Sequence, residues 1–75
     1  MNELYVLLCN SFPVAISSDM NTLEERRREQ IALVKEDEHL QVIHEEESSI
    51  TYHTGISYIT DDYTIYKVPV IWVNV

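Results

Sequence analysis

The chain has 75 residues, of which 13 are acidic and five are basic, and its formal net charge at neutral pH is −8. A chain of this length has room for one hydrophobic core, so residues 1–75 are expected to form a single domain. Hydrophobic residues make up 45% of the sequence, with one glycine and two prolines, which is typical of an ordered globular protein. The negative charge disfavours direct binding to nucleic acids and to anionic membranes.

Cysteine usage and the N-terminal residues bear on location. Cys9 is the single cysteine, so neither an intrachain disulfide nor a cysteine zinc motif can form. The apolar run at residues 4–9 is too short for a membrane span and lacks the basic start of a signal peptide. We therefore expect a soluble, cytoplasmic protein.

The N-terminal residues predict a β-hairpin. Residues 4–9 are rich in residues that suit a buried strand, and they end at the turn formers Asn10 and Ser11. Pro13 can precede a strand, so residues 14–16 are expected to form a short second strand. The first strand is expected to lie centrally in a sheet.

A helix is predicted to begin between Asp19 and Thr22. Asp19 is a favourable N-cap residue, and Thr22 with Glu25 has the spacing of a capping box. An apolar stripe continues from Leu23 to Val34 and predicts packing of the helix against a sheet.

Two interpretations of residues 36–47 remain open. In the first, the helix continues to about Glu46, because the acidic runs are poor strand material and no turn residues come before Ser48. In the second, the helix ends near Asp37 and residues 40–44 form an extra strand. The long helix is favoured.

The C-terminal third predicts further strands. Residues 50–54 and 56–60 are rich in β-branched and aromatic residues and are expected to form one strand interrupted at Gly55. Asp61 and Asp62 predict a turn, and residues 63–73 predict a strand with Thr64, Tyr66 and Val68 on one face. Pro69 favours an edge position for that strand. The predicted fold is α+β, with an N-terminal and a C-terminal hairpin packed against one long acidic helix.

Acidic residues are the most informative chemical feature. On a continuous helix, two clusters would lie along one element and could complement a basic groove or imitate backbone phosphates. The same pattern is also typical of a solvated helix face. Arg26, Arg27 and Arg28 offset the earlier acidic residues of the helix. The candidate partner-binding residues are Glu36, Asp37, Glu38, Glu45, Glu46 and Glu47.

No residue pattern indicates catalysis or a cofactor. Glu36 and His39 have the Glu-x-x-His spacing of metal-binding bundles, but those sites need two such pairs. Cys9 lies in an apolar run, where a thiol is usually an unreactive small hydrophobe. A single glycine, Gly55, cannot form a phosphate-binding loop. We expect no metal site, no cofactor and no enzymatic activity.

The last apolar residues predict a contact between chains. A terminal strand normally shows one face to water, yet this one is apolar on both faces. Either the rest of the chain covers it or a homodimer does, and the homodimer is favoured. The candidate oligomer-interface residues are Val70, Ile71, Trp72 and Val73.

The two ends of the chain, LYVLLCNSFPVAISSDMNTLEE and YTIYKVPVIWV, resemble small accessory proteins encoded by tailed bacteriophages. The resemblance covers about half the chain and carries over no functional residues. It implies expression inside an infected bacterium and a role in host takeover or in blocking a defence protein.

Two functions are therefore expected to compete. The first is a phage-type inhibitor or regulator whose acidic helix surface binds a basic host protein that handles nucleic acids or acts in defence. The second is an assembly protein that oligomerises through its apolar C-terminal strand.

Overall fold

The computed structural model describes residues 3–68, which form five strands and one helix. The strands are β1 (Leu4–Cys9), β2 (Phe12–Ser17), β3 (Gln41–Glu45), β4 (Ser49–His53) and β5 (Tyr58–Val68), and the helix is α1 (Met20–Glu36). All strand pairs are antiparallel, in one sheet with the order β2-β1-β5-β4-β3. The α+β class is therefore confirmed, while the arrangement of strands differs from two separate hairpins.

The N-terminal hairpin is confirmed, although its second strand is longer than the predicted residues 14–16 and includes Pro13. Cys9 pairs with Phe12 across a two-residue turn, in which Asn10 and Ser11 have φ values of 52° and 74°. Tight hairpin turns favour positive φ, and asparagine tolerates it better than most residues. β1 pairs with β2 on one side and β5 on the other, so its predicted central position is confirmed. Pro13 lies on the edge strand β2, where a missing N–H costs least.

Helix α1 begins as predicted, with Asp19 as its N-cap. The Asp19 carboxylate accepts a 2.9 Å hydrogen bond from the backbone N–H of Asn21. The helix buries Leu23 and Ile31 against the sheet. Together with Leu7, Ile50 and Tyr63, these two side chains form the hydrophobic core.

The prediction of a long acidic helix is wrong both in the length of the helix and in its charge. The helix ends at Glu36, and residues 41–45 form β3, so the second interpretation is the correct one. Asp37 turns the chain: its backbone is extended, and its carboxylate accepts a 2.8 Å hydrogen bond from the N–H of His39. The helix also has four acidic and four basic residues, so its formal charge balances. Residues 41–45 mix polar side chains with Val42 and Ile43, and this mixture is compatible with a strand because β3 is an edge strand exposed along its whole length.

The predicted C-terminal hairpin has its turn in a different place. Gly55, with φ at 97°, lies in a complete chain reversal, where the N–H of Thr54 donates to the Ser57 carbonyl at 3.0 Å. Residues on either side are thus two antiparallel strands, not one interrupted strand. The turn predicted at Asp61 and Asp62 is wrong as well, because both residues lie within β5.

β5 has 11 residues and joins the two parts of the sheet. Its first half pairs with β4 and its second half with β1, so β5 lies at the centre of the strand order and not at an edge. Pro69, on which the edge prediction rested, lies outside the described residues. At ~3.3 Å per residue β5 is roughly 36 Å long, whereas 17 helical residues span about 25 Å. The helix is therefore shorter than the longest strand.

Candidate protein-binding surface

Ion pairs show how the helix lies relative to β3 and the turn that follows it. Lys35, near the end of α1, lies 3.2 Å from Glu45, and Arg27, two turns earlier, lies 3.6 Å from Glu47. The chain at residues 45–47 thus runs back along the helix, and the start of β3 lies beyond the helix end. Ile50 enters the core below the helix, but the outer ends of β3, β4 and β5 extend past it.

This geometry divides the chain into two regions. We call residues 3–35 and 63–68 the covered half, since they contain the helix and the strands on which it packs. We call residues 36–62 the acidic meander, since they contain β3, β4 and the first half of β5, joined in sequence. The base of the acidic meander belongs to the core, and its outer end is the hairpin turn at Gly55.

Charge is distributed unequally between these regions. The acidic meander holds eight of the 13 acidic residues and neither lysine nor arginine. The rest of the chain holds five acidic and five basic residues, which balance. The whole formal net charge of −8 therefore lies on the acidic meander, together with all three histidines.

The six predicted partner-binding residues fall into two groups. Glu36, Asp37 and Glu38 lie at the helix end and in the following turn, and they are exposed. They form no ion pair with any residue in the described range 3–68. This first group is thus a patch of uncompensated negative charge.

Glu45, Glu46 and Glu47 form the second group, one strand length away, and each has a cationic or titratable neighbour. Besides the pairs with Lys35 and Arg27, Glu46 lies 2.8 Å from His44 Nε2. The Arg27 side chain is 13% exposed, and its Nε finds no acceptor among residues 3–68. The structure therefore does not bring the two acidic groups onto one helical face, and it partly neutralises the second.

A cleft of about 300 Å³ separates the helix from the second acidic group. Arg28 and Lys35 lie on its helix side, Glu46 and Glu47 lie opposite, and Ile31 contributes to its lining. The charged side chains that line the cleft are of both signs, and Lys35 forms an ion pair with Glu45 across it. We therefore regard the cleft as a contact between the helix and the chain that follows β3.

Exposed apolar side chains occur in both regions, and those of the acidic meander lie at its outer end and on its edge strand. Ile56 at the hairpin turn is 93% exposed and Tyr58 is 70% exposed, the latter with its ring against the edge of His53 at 4.6 Å between centroids. Ile43 and Val42 on β3 are also exposed. Hydrophobic side chains next to uncompensated charge are a common composition of protein-binding surfaces.

A polar cluster at the junction of the two regions was missed by sequence reasoning. The Tyr52 hydroxyl donates to the Asp61 carboxylate at 3.0 Å, and the Asn10 side-chain amide donates to the Thr60 carbonyl at 3.0 Å. The Asn10 amide oxygen also accepts from the N–H of Asp62 at 2.9 Å. Asn10, Asp61 and Asp62 were interpreted only as turn formers, and no spacing in the sequence indicates that residues 50 apart would meet.

Burial and hydrogen bonding keep the phenols of this cluster protonated. Desolvation, with the hydrogen bond to Asp61, raises the pKa of Tyr52 to about 12. Desolvation and a hydrogen bond to Cys9 raise the pKa of Tyr63 well above its usual range. Burial also raises the pKa of the Cys9 thiol, which leaves it without the thiolate character of a nucleophile at neutral pH.

Three further observations concern residues 3–68. No three His, Cys, Asp or Glu side chains in this range lie close enough together to hold a metal ion. No helix in the range is long and apolar enough to cross a membrane. The predicted oligomer-interface residues, Val70, Ile71, Trp72 and Val73, lie outside the described residues.

Comparisons with protein-family models, with curated proteins and with solved structures found nothing that matches this chain.

Proposed function

We propose that this chain is a protein-binding module whose acidic meander binds a basic surface on a partner protein. The observation that carries the proposal is the charge distribution. The whole formal charge of −8 belongs to residues 36–62, and Glu36, Asp37 and Glu38 form no ion pair in the described part of the chain. Uncompensated charge of one sign speeds association with a partner of opposite sign and disfavours partners of the same sign.

Affinity would come from the apolar side chains beside that charge. Rim charges mainly change association rates, while buried aromatic and aliphatic side chains carry most of the binding free energy. Ile56 and Tyr58 project from the outer end of the acidic meander, and Ile43 lies on the adjoining edge strand. A partner with an apolar depression surrounded by lysine and arginine fits this composition.

The resemblance to small phage-encoded accessory proteins supports a host bacterial protein as the partner, met in the host cytoplasm. A basic groove on such a protein commonly binds nucleic acid, and an acidic domain seated in it would compete with the phosphates. The proposed role is therefore that of an inhibitor or regulator of a nucleic-acid-handling or defence protein. It requires no catalytic group on this chain.

The structure changes which acidic residues should be tested. Replacing Glu45 or Glu47 would also leave Lys35 or Arg27 without its ion pair, so the result would mix two effects. The triple variant Glu36→Gln, Asp37→Asn and Glu38→Gln removes three charges without that complication. Asparagine at position 37 keeps an acceptor for the N–H of His39.

The experiment is an affinity capture from bacterial lysate, with the captured proteins identified and quantified by mass spectrometry. The matched control removes three charges from the helix by Glu24→Gln, Glu25→Gln and Glu29→Gln. A specific partner should be captured by the wild type and the control, lost with the triple variant, and weakened by high salt. Equal capture by both variants contradicts the proposal.

The competing assembly function rests on residues 70–73, and it stays a prediction because those residues lie outside the described part of the chain.

A further inference from the structure

The two edges of the sheet differ in what they offer to another chain. β2 forms one edge and β3 forms the other. β2 contains Pro13, which has no N–H to donate, and it belongs to the covered half, whose charges balance. β3 contains no proline, and all of its side chains are exposed. Because an exposed strand edge carries backbone groups that can pair with a further strand, β3 is the edge that is open to one.

Hydrogen bonding in the turn after β3 shows which backbone groups face outward. The N–H of Glu46 donates to the carbonyl of Ser49 at 2.8 Å, so these two residues form a hydrogen-bonded pair. Hydrogen-bonded and non-hydrogen-bonded pairs alternate along an antiparallel ladder, and the next pair is Glu45 with Ile50. The N–H and C=O of Glu45 therefore point away from β4, and no strand within residues 3–68 pairs with β3 on that side.

A bulge limits how far a further strand can follow β3. The register of the ladder shifts between Val42 and His44, so Ile43 is an extra residue on β3. Bulges twist an edge and interrupt regular pairing. A further strand can therefore pair with residues 44–46 and lie beside the exposed Ile43 side chain. So short a contact needs side-chain interactions as well as backbone hydrogen bonds.

Charge decides which kind of strand fits this edge. Asp37 and Glu38 precede β3, Glu46 and Glu47 follow it, and residues 36–62 contain neither lysine nor arginine. A second copy of the chain would bring carboxylates against carboxylates, so the charge that repels another β3 selects a strand with basic side chains. Apolar side chains between the basic ones would contact the exposed apolar residues of β3. The occupant that fits is an extended segment in which basic and apolar residues alternate.

We propose that the outer edge of β3 binds an extended basic segment of a partner protein by strand addition, with the backbone of Glu45 at the centre of the contact. This contact rests on the proposed function, since it specifies how the acidic meander recognises its basic partner. Main-chain hydrogen bonds provide affinity in strand addition, and side chains provide specificity. The basic residues of the segment meet the carboxylates at the two ends of β3, and the segment becomes a further strand of the sheet.

Two synthetic peptides separate strand addition from attraction between opposite charges. The first has about eight residues in which lysine and valine alternate, and the second is identical except that its central backbone nitrogens are methylated. Both carry the same charge, but the methylated peptide has no central N–H to donate to a neighbouring strand on either side. Amide chemical shifts of the full chain should show that the first peptide, at up to about 1 mM, binds at residues 44–46. The second should bind at least about tenfold more weakly.

The outcomes distinguish this contact from the proposed function. Equal binding of the two peptides overturns strand addition and leaves the proposed function standing, because attraction between charges then suffices. Binding of the first peptide away from residues 44–46, or of neither peptide, also overturns strand addition. The proposed function is decided separately, by the lysate capture with the triple variant at residues 36–38.

A matched pair of variants tests the outward N–H itself. Glu45→Pro and Glu45→Gln both remove the same charge and the ion pair with Lys35. Only Glu45→Pro also removes the N–H, and it costs no hydrogen bond to β4 because that N–H points away from β4. Glu45→Pro should bind the first peptide about three- to tenfold more weakly than Glu45→Gln does. Equal binding by the two variants overturns the proposal.

Hydrogen exchange in the wild type does not depend on how the variants fold. In the free chain, the N–H of Glu45 should exchange rapidly, while that of Glu46, which donates to Ser49, exchanges slowly. The first peptide should slow exchange at Glu45. Slow exchange at Glu45 without peptide would mean that the edge is already occupied, and unchanged exchange at saturating peptide would mean that no strand is added there. Either result overturns the proposal.

Discussion

The covered half and the acidic meander share one sheet, yet most of the hydrophobic core lies in the covered half and the whole net charge lies in the acidic meander. The covered half supplies four of the five core side chains, and its basic residues match its acidic ones in number. The acidic meander contributes Ile50 to the core and packs Tyr52 against it, and its Glu residues are exposed. A small domain can therefore place clustered like charges, which are costly near a core, on strands that extend past its helix. The following predictions test this division, from the largest expected effect to the smallest.

Leu23→Ala should destabilise the protein most. Leu23 is 1% exposed, and deleting a buried leucine side chain costs about 2–5 kcal/mol, a large part of the stability of a domain this small. Leu33→Ala is the matched control, because Leu33 lies in the same helix and is 61% exposed. Urea unfolding measures both. A similar loss of stability in the two variants would mean that the covered half does not hold the core.

Tyr52→Phe should weaken the junction between the two regions. It removes a hydrogen bond to a carboxylate, worth about 1.5 kcal/mol at neutral pH. The variant should also respond less to alkaline pH. The pKa of Tyr52 is about 12 in the folded protein, against ~10 for an unperturbed tyrosine, so the folded state holds this proton more tightly.

The sign of the pH effect follows from that difference. The stabilising contribution of Tyr52 is fully present below pH ~10 and is lost as pH rises towards 12. Unfolding midpoints at neutral pH and at several alkaline values measure it, with Tyr58→Phe as the exposed control. Wild type and Tyr52→Phe losing stability in parallel through the alkaline range would contradict the role of Tyr52.

Gly55→Ala should cost about 1 kcal/mol, confined to the outer end of the acidic meander. A new Cβ would meet no atom within 4 Å, so the cost is the backbone strain of a side chain at φ 97°. Hydrogen exchange should speed up at residues 52–59 and not in the covered half. Ile56→Ala, the neighbouring control, should leave exchange unchanged, and uniform acceleration across the chain would show that the regions do not open separately.

Lys35→Gln should have the smallest effect. The Lys35 and Glu45 side chains are 49% and 40% exposed, and such surface pairs contribute at most about 0.5–1 kcal/mol. A double-mutant cycle with Glu45→Gln isolates the coupling energy, which should disappear in high salt. A coupling energy that persists in high salt would mean that the ion pair is shielded from solvent and contributes more to the contact between the helix and the acidic meander than a surface pair does.

Local patterns in the sequence determined the parts of the fold whose signals lie within a few residues. Asn10 and Ser11 specify the first hairpin turn, Asp19 caps the helix, and Leu23 and Ile31 lie on its buried stripe. The alternation at Thr64, Tyr66 and Val68 correctly placed these residues on one face of β5. In each case the cause is local, namely backbone preference, capping or side-chain periodicity.

Tertiary structure decided where residues 36–62 go. Residues 41–45 show no clear periodicity of either a helix or a strand, and they form a strand because β4 offers an edge to pair with. Asp61 and Asp62 are typical turn residues, but Tyr52 and Asn10 supply hydrogen bonds that keep them inside β5. Glu45 and Glu47 lie beside Lys35 and Arg27 because the chain reverses direction between the end of α1 and the start of β3. The clustering of charge in residues 36–62 was evident from the sequence, because these residues are contiguous. Where this segment lies relative to the helix depends on the pairing of β5 with β1, between residues distant in sequence, which no local pattern encodes.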